Sequence, residues 1–170
     1  MDQLRETPPR ELRIGLGNDV HELVEGRPLV LGGVTIPHSH GLAGHSDADA
    51  LLHAVCDAIL GATGRGDIGT RFPNTDPRWK GADSKKLLAS VWEDVSREGW
   101  GLVNLDTTVL AEAPKLSPHI PAMKRCIGEV LGVSPDRVGI KATTSEGLGF
   151  VGRKEGIMAS AVVLLARGGA

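Results

Sequence analysis

Segments patterned as strands alternate with segments patterned as helices along this chain, and that alternation restricts its fold more than any other feature. Leu12 to Gly17, Leu29 to Ile36, Leu102 to Leu110, Val138 to Thr144 and Ile157 to Leu165 read as strands. Gly32-Gly33 interrupts the second, which predicts a bend or bulge there. The clearest helical pattern opens at Ser46, with Asp49 three residues on in a capping-box-like arrangement. Leu51, Leu52, Val55, Ala58, Ile59 and Ala62 form its apolar face, while Asp49, His53 and Asp57 recur every four residues on roughly the opposite side. Two more helices are expected from about Asp83 to Arg97, closed by Gly99, and from about Pro121 to Leu131. Strands interleaved with helices indicate an α/β fold. A chain of 170 residues suits a single domain that buries roughly two thirds of its unfolded surface.

Composition narrows the partners. Apolar residues make up 41% and charged residues 24%, with a net charge of -2, so no basic field or Lys/Arg-rich run invites nucleic acid. No apolar stretch approaches the roughly 20 residues that span a bilayer, so no membrane partner is expected. Met1 to Leu12 is polar, proline-bearing and mixed in charge, unlike a signal peptide. We expect a flexible extension over residues 1–12 and one domain over residues 13–167. Cys56 and Cys126 stand in no metal-binding spacing and read as two reduced thiols of a cytoplasmic protein.

Asp19-Val20-His21 falls where the first strand is expected to end. Residues two apart on an extended segment face one side, so this carboxylate and imidazole can converge. His53 offers a third donor from a helix face. One Asp and two His suit zinc and leave a fourth position open, as in catalytic sites. A polar helix face is equally what water solvates, so these three residues alone leave both readings standing. His38 and His40 form a competing pair, but they follow Pro37 in a Gly-flanked, turn-like segment and are expected to be exposed loop residues.

Gly44-His45-Ser46-Asp47-Ala48 has the outline of a nucleophile elbow. Its approach, His40 to Gly44, makes a poor strand, and Ser46 reads better as a helix cap whose neighbouring N–H groups suit phosphate. Gly15-Leu16-Gly17 is not a dinucleotide loop, because Val20 stands at the sixth position of that pattern. Thr143-Thr144-Ser145-Glu146 sets three hydroxyls and a carboxylate after a strand, beside Gly147 and Gly149. Such a turn can cradle phosphate oxygens and hold Mg²⁺ through the glutamate, or it is a plain turn with a helix cap.

Read together, these segments resemble the cyclodiphosphate synthase family of the non-mevalonate isoprenoid pathway, from about Arg13 to Arg167. The resemblance rests on Asp19-Val20-His21, on His45 through Ala54, on Gly66-Asp67-Ile68-Gly69 and on Phe72 through Pro77. It continues in Ala113-Pro114-Lys115, in Lys141 through Glu146 and in Leu148-Gly149-Phe150. It implies a mixed β-sheet with helices packed on one face, and a homotrimer around a central axis with active sites between subunits. Asp19, His21 and His53 would bind zinc, with a substrate phosphate oxygen in the open position. His45 and Thr144 would act catalytically by stabilising the transition state.

The resemblance also implies that Asp67, within Asp67-Ile68-Gly69, holds the ribose hydroxyls, and that Phe72, Pro73, Asn74, Thr75 and Asp76 line the erythritol pocket. Ala111, Glu112, Ala113, Pro114, Lys115, Leu116 and Ser117 would read cytosine, largely through backbone groups. Val20, Ser46, Thr143 and Ser145 join them as substrate-binding positions, and Phe150 and Arg153 complete the phosphate side. Glu146 would hold a second divalent ion, Mg²⁺ or Mn²⁺. The sequence departs from the family at Asn74, where aspartate is common, and at Asn18, where a large residue is frequent. Ser160 stands where many members carry a glutamate facing the trimer axis, near the arginine matching Arg153 and a cavity that in some members accepts isoprenoid diphosphates.

The implied substrate is 4-diphosphocytidyl-2-C-methyl-D-erythritol 2-phosphate. Its 2-phosphate would attack the β-phosphorus, releasing CMP and forming 2-C-methyl-D-erythritol 2,4-cyclodiphosphate. A phosphate dianion needs no strong protein base; the reaction needs positioning and cancellation of charge. Two other readings compete. One is a zinc-dependent phosphohydrolase that activates water at the same open position. The other is a non-catalytic, metal-dependent sensor of nucleotides or isoprenoid diphosphates.

Overall fold

The computed structural model describes residues 11–168. Its strands are β1 (Glu11–Glu25), β2 (Leu29–Leu31), β3 (Val34–Ile36), β4 (His40–Leu42), β5 (Gly101–Leu110), β6 (Val138–Thr143) and β7 (Gly156–Arg167). Its helices are α1 (Ala50–Ala62), α2 (Ile68–Arg71), α3 (Ser84–Arg97), α4 (Ile120–Leu131) and α5 (Gly149–Gly152). Five strands form one sheet in the order β4-β1-β7-β5-β6. All neighbours are antiparallel except β5 and β6, so the sheet is mixed. Helix α1 lies on β1 and β7, α4 lies on β6, and α3 packs against both helices, so that among the described residues the opposite sheet face is bare.

Four expectations change in the folded chain. Strand β1 does not stop at Gly17 but runs to Glu25, because β7 pairs with it continuously from Glu11 opposite Arg167 to Glu22 opposite Gly156. Pairing to a long partner overrides the weak strand preference of Asn18 and Asp19. The same pairing places Glu11 and Leu12, assigned from sequence to the flexible extension, inside the sheet; residues 1–10 of that extension lie outside the described residues. Gly32 and Gly33 make the two-residue turn of a β2–β3 hairpin rather than a bend, both at positive φ (58° and 74°), as such a turn requires. His40, expected in an exposed loop, is half-buried in β4 and pairs with Glu25, while His38 is exposed.

The fourth change concerns α1. It starts at Ala50, and its N-cap is Asp49, which accepts from the Leu52 N–H at 3.0 Å; Ser46 lies ahead of it. Asp49 is fully buried and also accepts from the N–H groups of Gly32 (2.9 Å) and Gly33 (2.7 Å), tying the hairpin turn to the helix. Helix α1 is enclosed between the sheet and α3, so nearly its whole circumference is buried, His53 included. Apolar patterning on β1 is inverted: Ile14 and Leu16 face solvent at 74% and 63% exposure, whereas Gly15 and Gly17 face the helix. A Cβ at Gly15 would sit 1.8 Å from the carbonyl oxygen of Ala58, and one at Gly17 would sit 2.0 Å from that of Ala54. The two glycines let the α1 backbone rest directly on β1. No described helix is long and apolar enough to cross a membrane.

Candidate active site

Asp19 and His21 alternate with outward-facing Val20 and therefore point to the α1 side of the sheet. The close seating of α1 on Gly17 brings His53 over them. Asp19 Oδ2 lies 2.8 Å from His21 Nε2 and 3.1 Å from His53 Nδ1, and the two ring nitrogens are 3.2 Å apart. His21 Nδ1 is 2.6 Å from the Ala43 carbonyl oxygen, to which only an N–H can donate. A neutral His21 would thus turn a lone pair towards the Asp19 carboxylate, an arrangement that calls for a cation at their meeting point.

In the absence of a metal ion a proton meets the same need. Burial raises the Asp19 pKa, but hydrogen bonds from His21 and His53 outweigh it and leave the carboxyl below its usual range. Burial lowers His21, but the hydrogen bond and charge of Asp19 outweigh it and leave the imidazole above its usual value. Oxygen and imidazole donors converging from two elements, with their other atoms held by neighbours, fit a divalent ion such as zinc. Among the described residues no second group of three or more metal-ligand side chains converges, so His38 and His40 belong to no such cluster.

A cavity of about 200 Å³ opens over these residues. His45, Ser46, Ile68, Gly69, Phe72 and Asn74 line it, together with Trp79 and Leu87. Asp57, one turn after His53 on α1, accepts from the Ile68 N–H at 2.7 Å and so anchors the Asp67 loop to the helix that carries His53. Asp67 Oδ1 accepts from the Thr70 N–H at 2.7 Å as the N-cap of α2, which lowers its pKa. Phe72 meets Trp79 edge-to-face with ring centroids 4.8 Å apart. Asp76 turns its carboxylate to Arg78 rather than into the cavity, and its carbonyl oxygen sits 3.4 Å from His45 Nε2. Pro73 and Thr75 are exposed outside the lining.

The remaining expected residues lie elsewhere. Ala111, Glu112, Pro114, Lys115, Leu116, Ser117, Thr143 and Thr144 line a second cleft of about 300 Å³. Glu112 shapes its wall by accepting from Ser145 N (2.9 Å), Ser145 Oγ (3.1 Å) and Gly147 N (3.3 Å). Thr144 Oγ1 donates to Glu146 at 3.0 Å. Ala113 faces a separate pocket with His38, His40 and Lys154, Arg153 pairs with Glu155, and Phe150 is partly exposed on α5. Val20, Met158, Leu110 and Thr143 stand in register across β1, β7, β5 and β6. The two clefts of one chain are therefore three strand spacings apart, roughly 14 Å.

The sequence model of the YgbB family matches residues 12–166. The chain belongs to the YgbB family. A relative from Bordetella avium, named 2-C-methyl-D-erythritol 2,4-cyclodiphosphate synthase, is 63% identical over 155 residues, which make up 91% of this chain and 96% of that protein. A solved structure of a 2C-methyl-D-erythritol-2,4-cyclodiphosphate synthase in a CDP-bound form is 43% identical, with a TM-score of 0.83 over 90% of this chain and 99% of that one. The bifunctional IspDF from Campylobacter jejuni is 46% identical with a TM-score of 0.91; the match covers 95% of this chain and 44% of that protein.

Within this YgbB-family chain several residues of the site were not legible beforehand. Ser84 reads from sequence only as the start of a helix, yet its hydroxyl is 2.9 Å from His53 Nε2. Asp57 reads as solvated helix face and is a loop anchor. Trp79 and Leu87 carry no motif signal at all. Their roles follow from contacts between segments far apart in the chain.

Proposed function

We propose that this chain is a zinc-dependent lyase that converts 4-diphosphocytidyl-2-C-methyl-D-erythritol 2-phosphate to 2-C-methyl-D-erythritol 2,4-cyclodiphosphate and CMP. The observation that carries the reading is the convergence of Asp19, His21 and His53 beneath a cavity in a chain 63% identical to a protein of that name. These three residues would hold the ion, which supplies Lewis-acid stabilisation of phosphate charge when bound. Glu146, an exposed carboxylate beside hydroxyls, suits Mg²⁺ or Mn²⁺ shared with substrate phosphates.

His45 and Thr144 hold the phosphates in the attacking geometry, and Ser46, Thr143 and Ser145 add donors. Asp67 keeps one carboxylate oxygen for ribose hydroxyls, since the other caps α2. Phe72 and Asn74 receive the erythritol part, and the Ala111–Ser117 backbone reads cytosine. Arg153 and Phe150 close the phosphate side. With the two clefts of one chain roughly 14 Å apart, a complete site needs the second cleft of a neighbour. The bare sheet face, with Leu12, Ile14, Leu16 and Val162 exposed, suits burial between copies of a homotrimer.

Cyclisation prevails over hydrolysis in this reading because a tethered nucleophile, well oriented, reaches an effective concentration of about 10⁵ M or more. Turnover in ¹⁸O-labelled water should give CMP and a cyclic diphosphate, neither carrying solvent oxygen. A linear bisphosphate bearing the label would replace this reading with a phosphohydrolase, and no turnover at all would leave the sensor.

A further inference from the structure

We propose that Arg27 is a positioning residue whose guanidinium bridges two carbonyls of the 44–46 loop and so aims that loop's N–H groups at a phosphate. The inference rests on the reading that His45 and Ser46 hold substrate phosphate, and it names what sets their backbone. Arg27 lies in the connection between β1 and β2 and makes no ion pair among the described residues. Its Nη1 donates to the Gly44 carbonyl at 3.1 Å and its Nη2 to the Ser46 carbonyl at 2.9 Å. Its Nε is buried, so the fork is wedged in place rather than swinging in solvent.

Four successive carbonyls along this loop are engaged by the protein. That of Ala43 meets His21 Nδ1 at 2.6 Å, those of Gly44 and Ser46 meet Arg27, and that of His45 accepts from the Gly81 N–H at 2.7 Å. In a trans peptide the N–H points opposite to the preceding carbonyl, so each held carbonyl also fixes the next N–H. The Asp47 N–H is spent on the Ala82 carbonyl at 3.0 Å, and the Asp47 carboxylate accepts from the Ser84 N–H at 3.0 Å. The N–H groups of Gly44, His45 and Ser46 have no acceptor among the described residues, and these three residues line the cavity over Asp19, His21 and His53. Consecutive unpaired N–H groups at a cavity wall form an anion site. Arg27 does not itself line the cavity; it grips the peptides that do.

Arg27→Lys keeps the charge but reaches one carbonyl only, because an ammonium lacks the planar fork. Calorimetric titration of zinc-loaded protein with inorganic pyrophosphate should show affinity weakened about tenfold or more, the loss of one N–H contact to a charged oxygen. Amide ¹H–¹⁵N spectra should show the His45 and Ser46 signals shifting with pyrophosphate in the wild type, and shifting less in Arg27→Lys. Zinc affinity, read by competition with a chromophoric chelator, should stay at the wild-type level. If Arg27→Lys does not fold, Arg27→Gln, which drops the charge and keeps one donor group, should weaken pyrophosphate at least as much.

Unchanged pyrophosphate affinity with only a lower melting temperature would overturn the proposal and leave Arg27 a staple of the β1–β2 connection. So would zinc affinity falling in parallel, since the loss would then run through His21 and the Ala43 carbonyl. Wild-type protein that binds no pyrophosphate, or binds it with the His45 and Ser46 signals unmoved, would also overturn it. None of these results depends on turnover, so failure of the cyclase reading is seen separately, in the labelled-water experiment.

Discussion

Replacing Gly17 with alanine would place a Cβ 2.0 Å from the Ala54 carbonyl oxygen and 2.6 Å from the Ala58 nitrogen. Ordinary contact begins near 3.4 Å, so α1 must recede by about 1.4 Å, and no flexible side chain is available to absorb the clash. Overpacking of this kind costs about 1–3 kcal/mol. At 2–4 °C per kcal/mol for a domain of this size, the melting temperature should fall by roughly 2–12 °C. The larger consequence is for metal. His53 rides on α1 while Asp19 and His21 stay on β1, and ligand distances tolerate only about ±0.2 Å. Gly17→Ala should therefore lose tight zinc binding even where it folds. Gly61→Ala is the control on the same helix, since its nearest neighbour, the Leu16 carbonyl oxygen, is 3.8 Å away. It should melt at or slightly above wild type, because alanine is favoured over glycine in a helix. Differential scanning calorimetry with chelator competition reads both effects. A Gly17→Ala protein with wild-type melting and wild-type zinc affinity would refute the idea that close seating of α1 builds the site.

His53→Ala should abolish bound zinc by elemental analysis while His38→Ala retains it; zinc retained in the first variant would remove the site as drawn. Glu146→Gln should keep zinc yet lose most Mg²⁺-supported turnover, and mixing it with His53→Ala under subunit exchange should restore activity through composite sites. Failure of the mixture, with both variants folded, would rule out sites shared between chains. In metal-free protein the Asp19–His21 pair should make stability depend on pH. A raised histidine pKa contributes stability that is complete below the unfolded value and lost as pH rises through the folded one, while the lowered Asp19 contribution is lost as pH falls through its own folded value. The pair thus helps most between those limits, and the zinc-induced rise in melting temperature should grow as pH rises and the proton on His21 ceases to compete. Parallel melting curves with and without zinc across that range would contradict this assignment.

The order of elements, the α/β class and the three metal-ligand candidates were legible in the sequence, because strand and helix periods and an Asp-x-His spacing are local properties. Local rules also produced the errors. Asn18 and Asp19 have little strand preference, so β1 was expected to end before them; the long β7 partner, some 140 residues away, carries it on to Glu25. Asp49, His53 and Asp57 share the solvated side of a helical wheel, yet the β2–β3 turn engages Asp49, Ser84 at the start of α3 meets His53, and the Ile68 backbone engages Asp57, giving all three structural or site roles. Ser46 looks like a cap because it precedes a helix by the right distance, but Asp49 is better placed once the β2–β3 hairpin offers it two N–H groups.

Gly15-Leu16-Gly17 shows where the division falls. In sequence it is a failed nucleotide-loop pattern; in the fold it is the surface on which α1 rests, and it reverses which residues of β1 are buried. The sequence by itself determined which side chains were available to bind metal and phosphate, since those identities do not depend on the fold. Tertiary structure alone decided which of them meet: it joined Asp19, His21 and His53, recruited Ser84 and Asp47 behind them, and placed Thr144 three strands away. Convergence within about 3 Å requires segments distant in the chain to share one position, and no local preference encodes that.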